Sequence, residues 1–273
     1  AVSFLKNLML FRGYALFGLA ARLVLKDRVM AVIATLGLIT LPQIGYEAQR
    51  DLTHTVAVFF NACLFGWALF RTLQRPTAMN YALTGLAIGF GMLSKYNFAF
   101  LPLVAAVALL PDRRLRVRLF DPRILLMLAV SALIVSPHAF WLVDHFRRAT
   151  TNTILRLTVD AGEGGFVQIG HGKLSLAGAL AAFVLPTLLV FWIAFGRALP
   201  QALRADNEWS RLIGRMFLAT LVLLVIVVLA GASNITDRWL VPVFFLLPIY
   251  LCAKLDALGV VVPGAARRFG WVI

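Results

Sequence analysis

Glu47, Arg50, Asp51 and His54 fall within one ten-residue stretch, GYEAQRDLTH (45–54), with long apolar sequence on both sides. Spaced three or four apart, they share one face if the stretch is helical. Ionisable groups at membrane depth are costly, and where they occur they usually face a cavity and serve function. A carboxylate there can take the proton of an incoming hydroxyl. The plainer alternative is a solvated helix start, where acids also suit the helix dipole.

Three further stretches carry chemistry. Lys95 and Tyr96 follow GLAIGFGML, in which Gly85 and Gly89 form a G-x-x-x-G that lets helices approach closely. A lone lysine there either snorkels to the interface or holds an anion at a helix break. His138 and His145 lie seven apart, beside Pro137, Trp141 and Asp144. That spacing fits a binding surface and equally an interface-anchored helix end. Aspartate and histidine can bind a divalent cation, but neither H-x-x-x-H nor H-E-x-x-H occurs, so spacing assigns no metal. Asp237 and Arg238 stand beside Trp239 and read as a lipid-headgroup site or an anchor. The glycine-rich DAGEGGFVQIGHGK (160–173) fails the P-loop template and reads as a linker or substrate gate.

The elements that position these residues are set by composition. Of 273 residues 61% are hydrophobic and 14% charged, against about a quarter charged in soluble domains, and mean hydropathy is +0.88. The class is integral membrane. The net charge of +14 sits in short clusters between apolar spans, as in membrane loops, so no nucleic-acid partner is expected. Cys63 and Cys252 both lie in apolar spans, with no disulfide framework or zinc spacing.

The pattern predicts an all-α, polytopic transmembrane helix bundle of about nine spans. They cover roughly 3–25, 29–46, 55–70, 80–94, 97–111, 124–143, 174–195, 212–231 and 239–253. The fourth and fifth are short and read as a hairpin around SKYN, its turn partly sunk in the membrane. The first carries Lys6, Arg12 and Arg22. The whole of 1–273 reads as one transmembrane domain with an external loop at 144–173. Apolar sequence at both ends suggests a piece of a longer protein. One set of loops holds fifteen lysines and arginines and the opposite set seven, which places the first set in the cytoplasm. All four histidines and the four unusual stretches then share the external face.

Taken together, EAQRDLTHTVAVFF, GLAIGFGMLSKYNFAFLPL, SPHAFWLVDHF and TDRWLVPVFFLLPIYL resemble the GT-C superfamily of membrane glycosyltransferases. The nearest branch is the bacterial protein-mannosyltransferase-like group, which includes relatives of the lipid A aminoarabinose transferase. The likeness runs from about residue 5 to 253. It implies a GT-C-like fold and transfer of a sugar from a polyprenyl-phosphate donor to a lipid, polysaccharide or protein acceptor. The implied site is on the periplasmic or external face of a bacterial inner membrane, among membrane lipids. By position Asp51 resembles the second family acid, with Glu47 the other acid at hand. Lys95 resembles the phosphate-binding lysine, and Arg238 is a weaker candidate for the same phosphate. Tyr96, Arg50 and His138 are grouped with them as substrate- or phosphate-binding candidates. The principal family acid lies in a large first external loop that these residues do not include.

The alternative is a transporter or flippase of an anionic lipid or solute, using the same charged face. A transporter should show internal repeats and ionisable groups at the midplane. No repeat is evident here, and the charges gather at one face. A third reading, a scaffold subunit, predicts that Glu47, Asp51 and Lys95 can be neutralised without effect.

Overall fold

A computed structural model describes residues 2–48, 54–157, 165–259 and 262–273. Among these the chain is helical throughout, with no strand. Helix α1 (Val2–Val24) leads to α2 (Arg28–Leu36), which continues as a 3-10 turn (Gly37–Thr40) and a π turn (Gln43–Glu47). Next come α3 (His54–Gln74), α4 (Ala78–Ser94), a 3-10 turn (Tyr96–Ala99) and α5 (Phe100–Leu109). Helix α6 (Ile124–Leu157), α7 (Gly165–Phe195), α8 (Glu208–Leu229), α9 (Leu247–Leu258) and α10 (Ala265–Val272) complete the order.

Each of the nine expected spans corresponds to a helix, but they are not equivalent. Five stretches are long and apolar enough to cross a membrane: His54–Gln74, Ile124–Phe146, Val167–Phe195, Glu208–Leu229 and Val241–Leu258. Three are shorter apolar helices, Arg28–Thr40, Ala78–Ser94 and Tyr96–Leu109. Helix α1 has the length but carries three cations. The expected loop at 144–173 is helix in its described parts, through Leu157 and again from Gly165. A bend marks its start, where His145 leaves helical geometry (φ −119°, ψ 17°).

Local chemistry explains most boundaries. Asp27 caps α2 by accepting from the Val29 N–H at 2.9 Å, and Thr77 caps α4 through the Asn80 N–H. Asn207 and Ser210 form a reciprocal capping box at the head of α8. Pro42 forces Leu41 into an extended conformation (φ −86°, ψ 109°), which breaks α2 before the π turn.

Packing centres on α3. Helices α1 and α4 lie against it, α4 also packs on α6, and α5 leans instead on α8. The two arms of the expected hairpin therefore diverge from their shared turn. In lipid, helix association rests on close van der Waals contact rather than on release of water. Gly85 and Gly89 serve that: a Cβ at Gly85 would strike the Met127 carbonyl, and one at Gly89 would lie 2.7 Å from Ile134. The α3 core is filled by aromatic rings, with Phe59 and Phe70 fully buried and packed edge-on against Tyr14 and Trp209. The Ile124–Phe146 stretch, by contrast, contributes no buried residue to the bundle from its apolar span.

Candidate active site

The 3-10 turn after α4 exists because of a glycine and a phenylalanine. Phe98 folds back so that its fully buried ring lies against Gly91, where any Cβ would overlap it. The Ser94 hydroxyl donates to the Gly91 carbonyl at 2.6 Å, and Lys95 turns extended (φ −168°, ψ 140°). The helix stops there, and Lys95 sits half-buried at the turn.

Its neighbours come from far along the chain. Asn97 donates to the Arg238 carbonyl at 3.4 Å. Gln43, in the π turn, donates to the Asp237 carboxylate at 2.6 Å. Arg238 meets Glu47 at 3.6 Å, with both side chains partly exposed. Burial, and then the Arg238 guanidinium, lower the Lys95 pKa from the ordinary lysine value; Asp237 offsets part of this. Among the described residues no carboxylate lies within ion-pair distance of Lys95. The Asn97 contact thus brings Lys95 and Arg238 to the same end of the bundle with partial access to water, a setting that favours an anion.

The 231–239 segment is held in place by α7. The Gln168 amide donates to the Gly231 carbonyl at 2.6 Å, and the Ser175 hydroxyl bonds both the N–H and the carbonyl of Ile235. On the other side, Tyr96 Oη and His138 Nε2 are 3.1 Å apart. The Tyr96 and His138 rings begin a stacked series that continues through Trp141 to His145.

Two acceptors at this end are unsatisfied. Gln43 Oε1 and Asn97 Oδ1 are buried without a hydrogen-bond donor among the described residues. The Asp237 carboxylate fixes the Gln43 amide, since turning it would set oxygen against oxygen. A buried unsatisfied acceptor costs roughly 1–3 kcal/mol, so the pair marks a place where a hydroxyl or other donor is wanted.

Of the residues predicted from sequence, Glu47, Lys95, Tyr96, His138 and Arg238 converge at this one end. Arg50 and Asp51 lie outside the described residues, and so does the proposed continuity of one helical face from Glu47 to His54. His54 is the first described residue of α3 and is exposed. Asp144, His138 and His145 do not make a metal site: among the described residues no three His, Cys, Asp or Glu side chains gather for one. Gln43 and Asn97 were missed. Each is an amide interrupting apolar sequence, Gln43 directly after Pro42 and Asn97 directly after Lys95 and Tyr96, and that was the available signal.

A bundle of apolar helices with paired cations, carboxylates and open acceptors at one end is an integral membrane protein with a polar site at that end. The chain belongs to the dolichyl-phosphate-mannose-protein mannosyltransferase family, of GT-C type, whose profile matches residues 5–141. It is 48% identical over 98% of its length to the lipopolysaccharide core galacturonosyltransferase RgtB of Rhizobium johnstonii, covering 55% of that protein. It is 43% identical over 97% of its length to the lipopolysaccharide core galacturonosyltransferase RgtA of the same organism, covering 53%. A shorter match, 31% identical over 45% of the chain, is to its lipid A galacturonosyltransferase RgtD. The chain spans about half the length of the two relatives it matches along nearly all of its length. No solved structure matches it.

Proposed function

We propose that this chain forms one wall of the active site of a membrane glycosyltransferase that moves a sugar from a polyprenyl-phosphate donor onto lipopolysaccharide. The observation that carries the reading is the convergence of Lys95, half-buried at a helix break, with the exposed Arg238, whose carbonyl accepts from Asn97, two residues after Lys95. The names of the two long matches, both lipopolysaccharide core galacturonosyltransferases, support galacturonic acid as the sugar and the core oligosaccharide as the acceptor. The excess of lysine and arginine at the opposite end supports a site on the periplasmic face of a bacterial inner membrane.

The residues divide the work as follows. The acceptor hydroxyl attacks the anomeric carbon, the carbon–oxygen bond to phosphate breaks, and polyprenyl phosphate leaves with the bonding electrons. Lys95 and Arg238 stabilise the charge that develops on the phosphate. Asp51 or Glu47 takes the hydroxyl proton. Tyr96, held by His138, borders the phosphate, and Arg50 is a further cation offered to the donor. The open Gln43 and Asn97 carbonyls accept from sugar hydroxyls.

The test is transfer of galacturonosyl from its polyprenyl phosphate to core oligosaccharide by membranes holding the full-length protein. Lys95→Ala and Asp51→Asn are expected to abolish transfer while insertion is unchanged. Wild-type rates in both variants would overturn the reading.

A further inference from the structure

The divergence of α4 and α5 leaves a cavity of about 430 Å³ between α3, α4, α5 and α6. It is lined along its length by Phe65, Leu69, Tyr81, Ala106, Met127 and Leu128 among others. From Phe65 to Leu73 it runs about 12 Å at 1.5 Å per residue. Its two threonine hydroxyls are already engaged. The Thr72 and Thr84 hydroxyls meet each other at 3.0 Å and bond back to the Ala68 and Asn80 carbonyls. What remains is an apolar slot. Leu103 and Leu128, each about half exposed, border it toward the membrane.

A charged residue, Arg118, also lines the slot. Its Nε donates to the Leu73 carbonyl at 3.4 Å, while its own carbonyl accepts from Tyr81. That leaves its terminal guanidinium N–H groups for another acceptor. Arg123 stands close by, bonded to the Pro76 carbonyl and 3.5 Å from Asp121. The stretch 112–123 holds five arginines against two aspartates. Asp112 spends its carboxylate on capping the Arg114 and Leu115 N–H groups. Val117 and Phe120 are well exposed among the arginines, as in a segment lying in a membrane interface.

We infer that this end of the bundle binds one anionic glycerophospholipid, an acyl chain in the slot and the phosphate against Arg118 and Arg123. Charge complementarity selects the occupant, since basic pockets between membrane helices hold anionic headgroups. The sugar donor is a poor fit for the same charges. Lys95 lies fourteen residues beyond Tyr81, about 20 Å up the α4 side, so one phosphate cannot serve both sets of cations. The inference rests on membrane placement alone and stands apart from the proposed sugar transfer.

The experiment uses the full-length protein in nanodiscs and photoreactive lipids carrying the reactive group midway along one acyl chain. Phosphatidylglycerol is expected to label residues of the slot such as Leu103 and Leu128, and phosphatidylcholine to label them weakly. Arg118→Gln combined with Arg123→Gln should lower the phosphatidylglycerol label roughly thirtyfold, as for two charges near a membrane surface, and leave phosphatidylcholine unchanged. Ala106→Phe, which fills the slot at a half-buried position, should remove the label while the arginines remain. Equal labelling by both lipids, or no effect of the arginine variants, would overturn the inference. Displacement of phosphatidylglycerol by polyprenyl phosphate would also overturn it, giving the slot to the donor's tail.

Discussion

The two ends of the bundle solve the problem of polar groups near lipid in opposite ways. At the arginine-rich end the groups around α9 and the head of α8 are matched. Lys254, buried on α9, donates to Asp206 at 2.5 Å and to the Leu203 carbonyl at 3.2 Å. Arg268 donates to the Ala194 carbonyl at 2.8 Å, and Asn207 and Ser210 cap each other's N–H groups. At the other end Lys95 has a cation for a neighbour, and two buried amide oxygens have no donor among the described residues. A closed network specifies a fold. An open one leaves buried acceptors that stability alone does not explain.

The sharpest way to break this comparison is at Lys95. Lys95→Ala removes a charge that no described carboxylate approaches within ion-pair distance, so thermal stability should change little or improve. Transfer should fall by about 10²–10³, the loss seen when one preorganised donor to a developing anion is removed. A variant that instead unfolds, with Tm falling as fast as activity, would make Lys95 structural. Gly91→Ala tests the same site through its support. The added Cβ meets the buried Phe98 ring, and overpacking of this kind costs about 1–3 kcal/mol. Because Phe98 follows Lys95 by three residues, the turn must shift. The expected outcome is a drop of about tenfold in kcat/KM, with Lys95 still present.

At the matched end the expected effect is on stability alone. The Lys254 hydrogen bond, more than any other contact, holds the Asp206 carboxyl below its usual range. A lowered folded-state pKa adds stability above the unfolded aspartate value of about 3.9, and that stability is lost as pH falls through the folded value. Asp206→Asn should therefore lower Tm at pH 7 and converge with wild type in acid. Asp206 is 44% exposed, so solvent screening limits the effect to about 1 kcal/mol. Transfer rates should be unchanged.

How much of this was legible follows from what each signal depends on. Apolar periodicity located every long helix, because in lipid the backbone must satisfy itself and helices are the way to do it. Boundaries at Asp27, Thr77 and Asn207 follow from cap chemistry visible in the sequence. The long-range site was legible only as four separate stretches of misplaced polarity. That Glu47 would meet Arg238, from near the opposite end of the chain, depends on α7 pinning Ile235 through Ser175, which no local pattern encodes. Gln43 escaped notice because an amide carries no charge to flag it. The 144–173 stretch read as a loop on its glycines, yet much of it is helix, since helix α7 starts within that glycine-rich run.

The smallest effect falls on the contact that looks most like a site. Glu47 and Arg238 form the one ion pair among the described residues at this end, and a pair of side chains 30% and 45% exposed is worth less than about 1 kcal/mol. Two roles for Glu47 then separate cleanly. If it only steadies Arg238, Glu47→Gln keeps the side-chain length and one acceptor, and transfer should fall no more than about fivefold, mostly in KM for the donor. If it is the base, Glu47→Gln should match Asp51→Asn in depth and remove the acid limb of the pH profile. The geometry favours the first, since the Glu47 carboxylate already meets the Arg238 guanidinium at 3.6 Å, and Asp51→Asn is then expected to be the deeper loss.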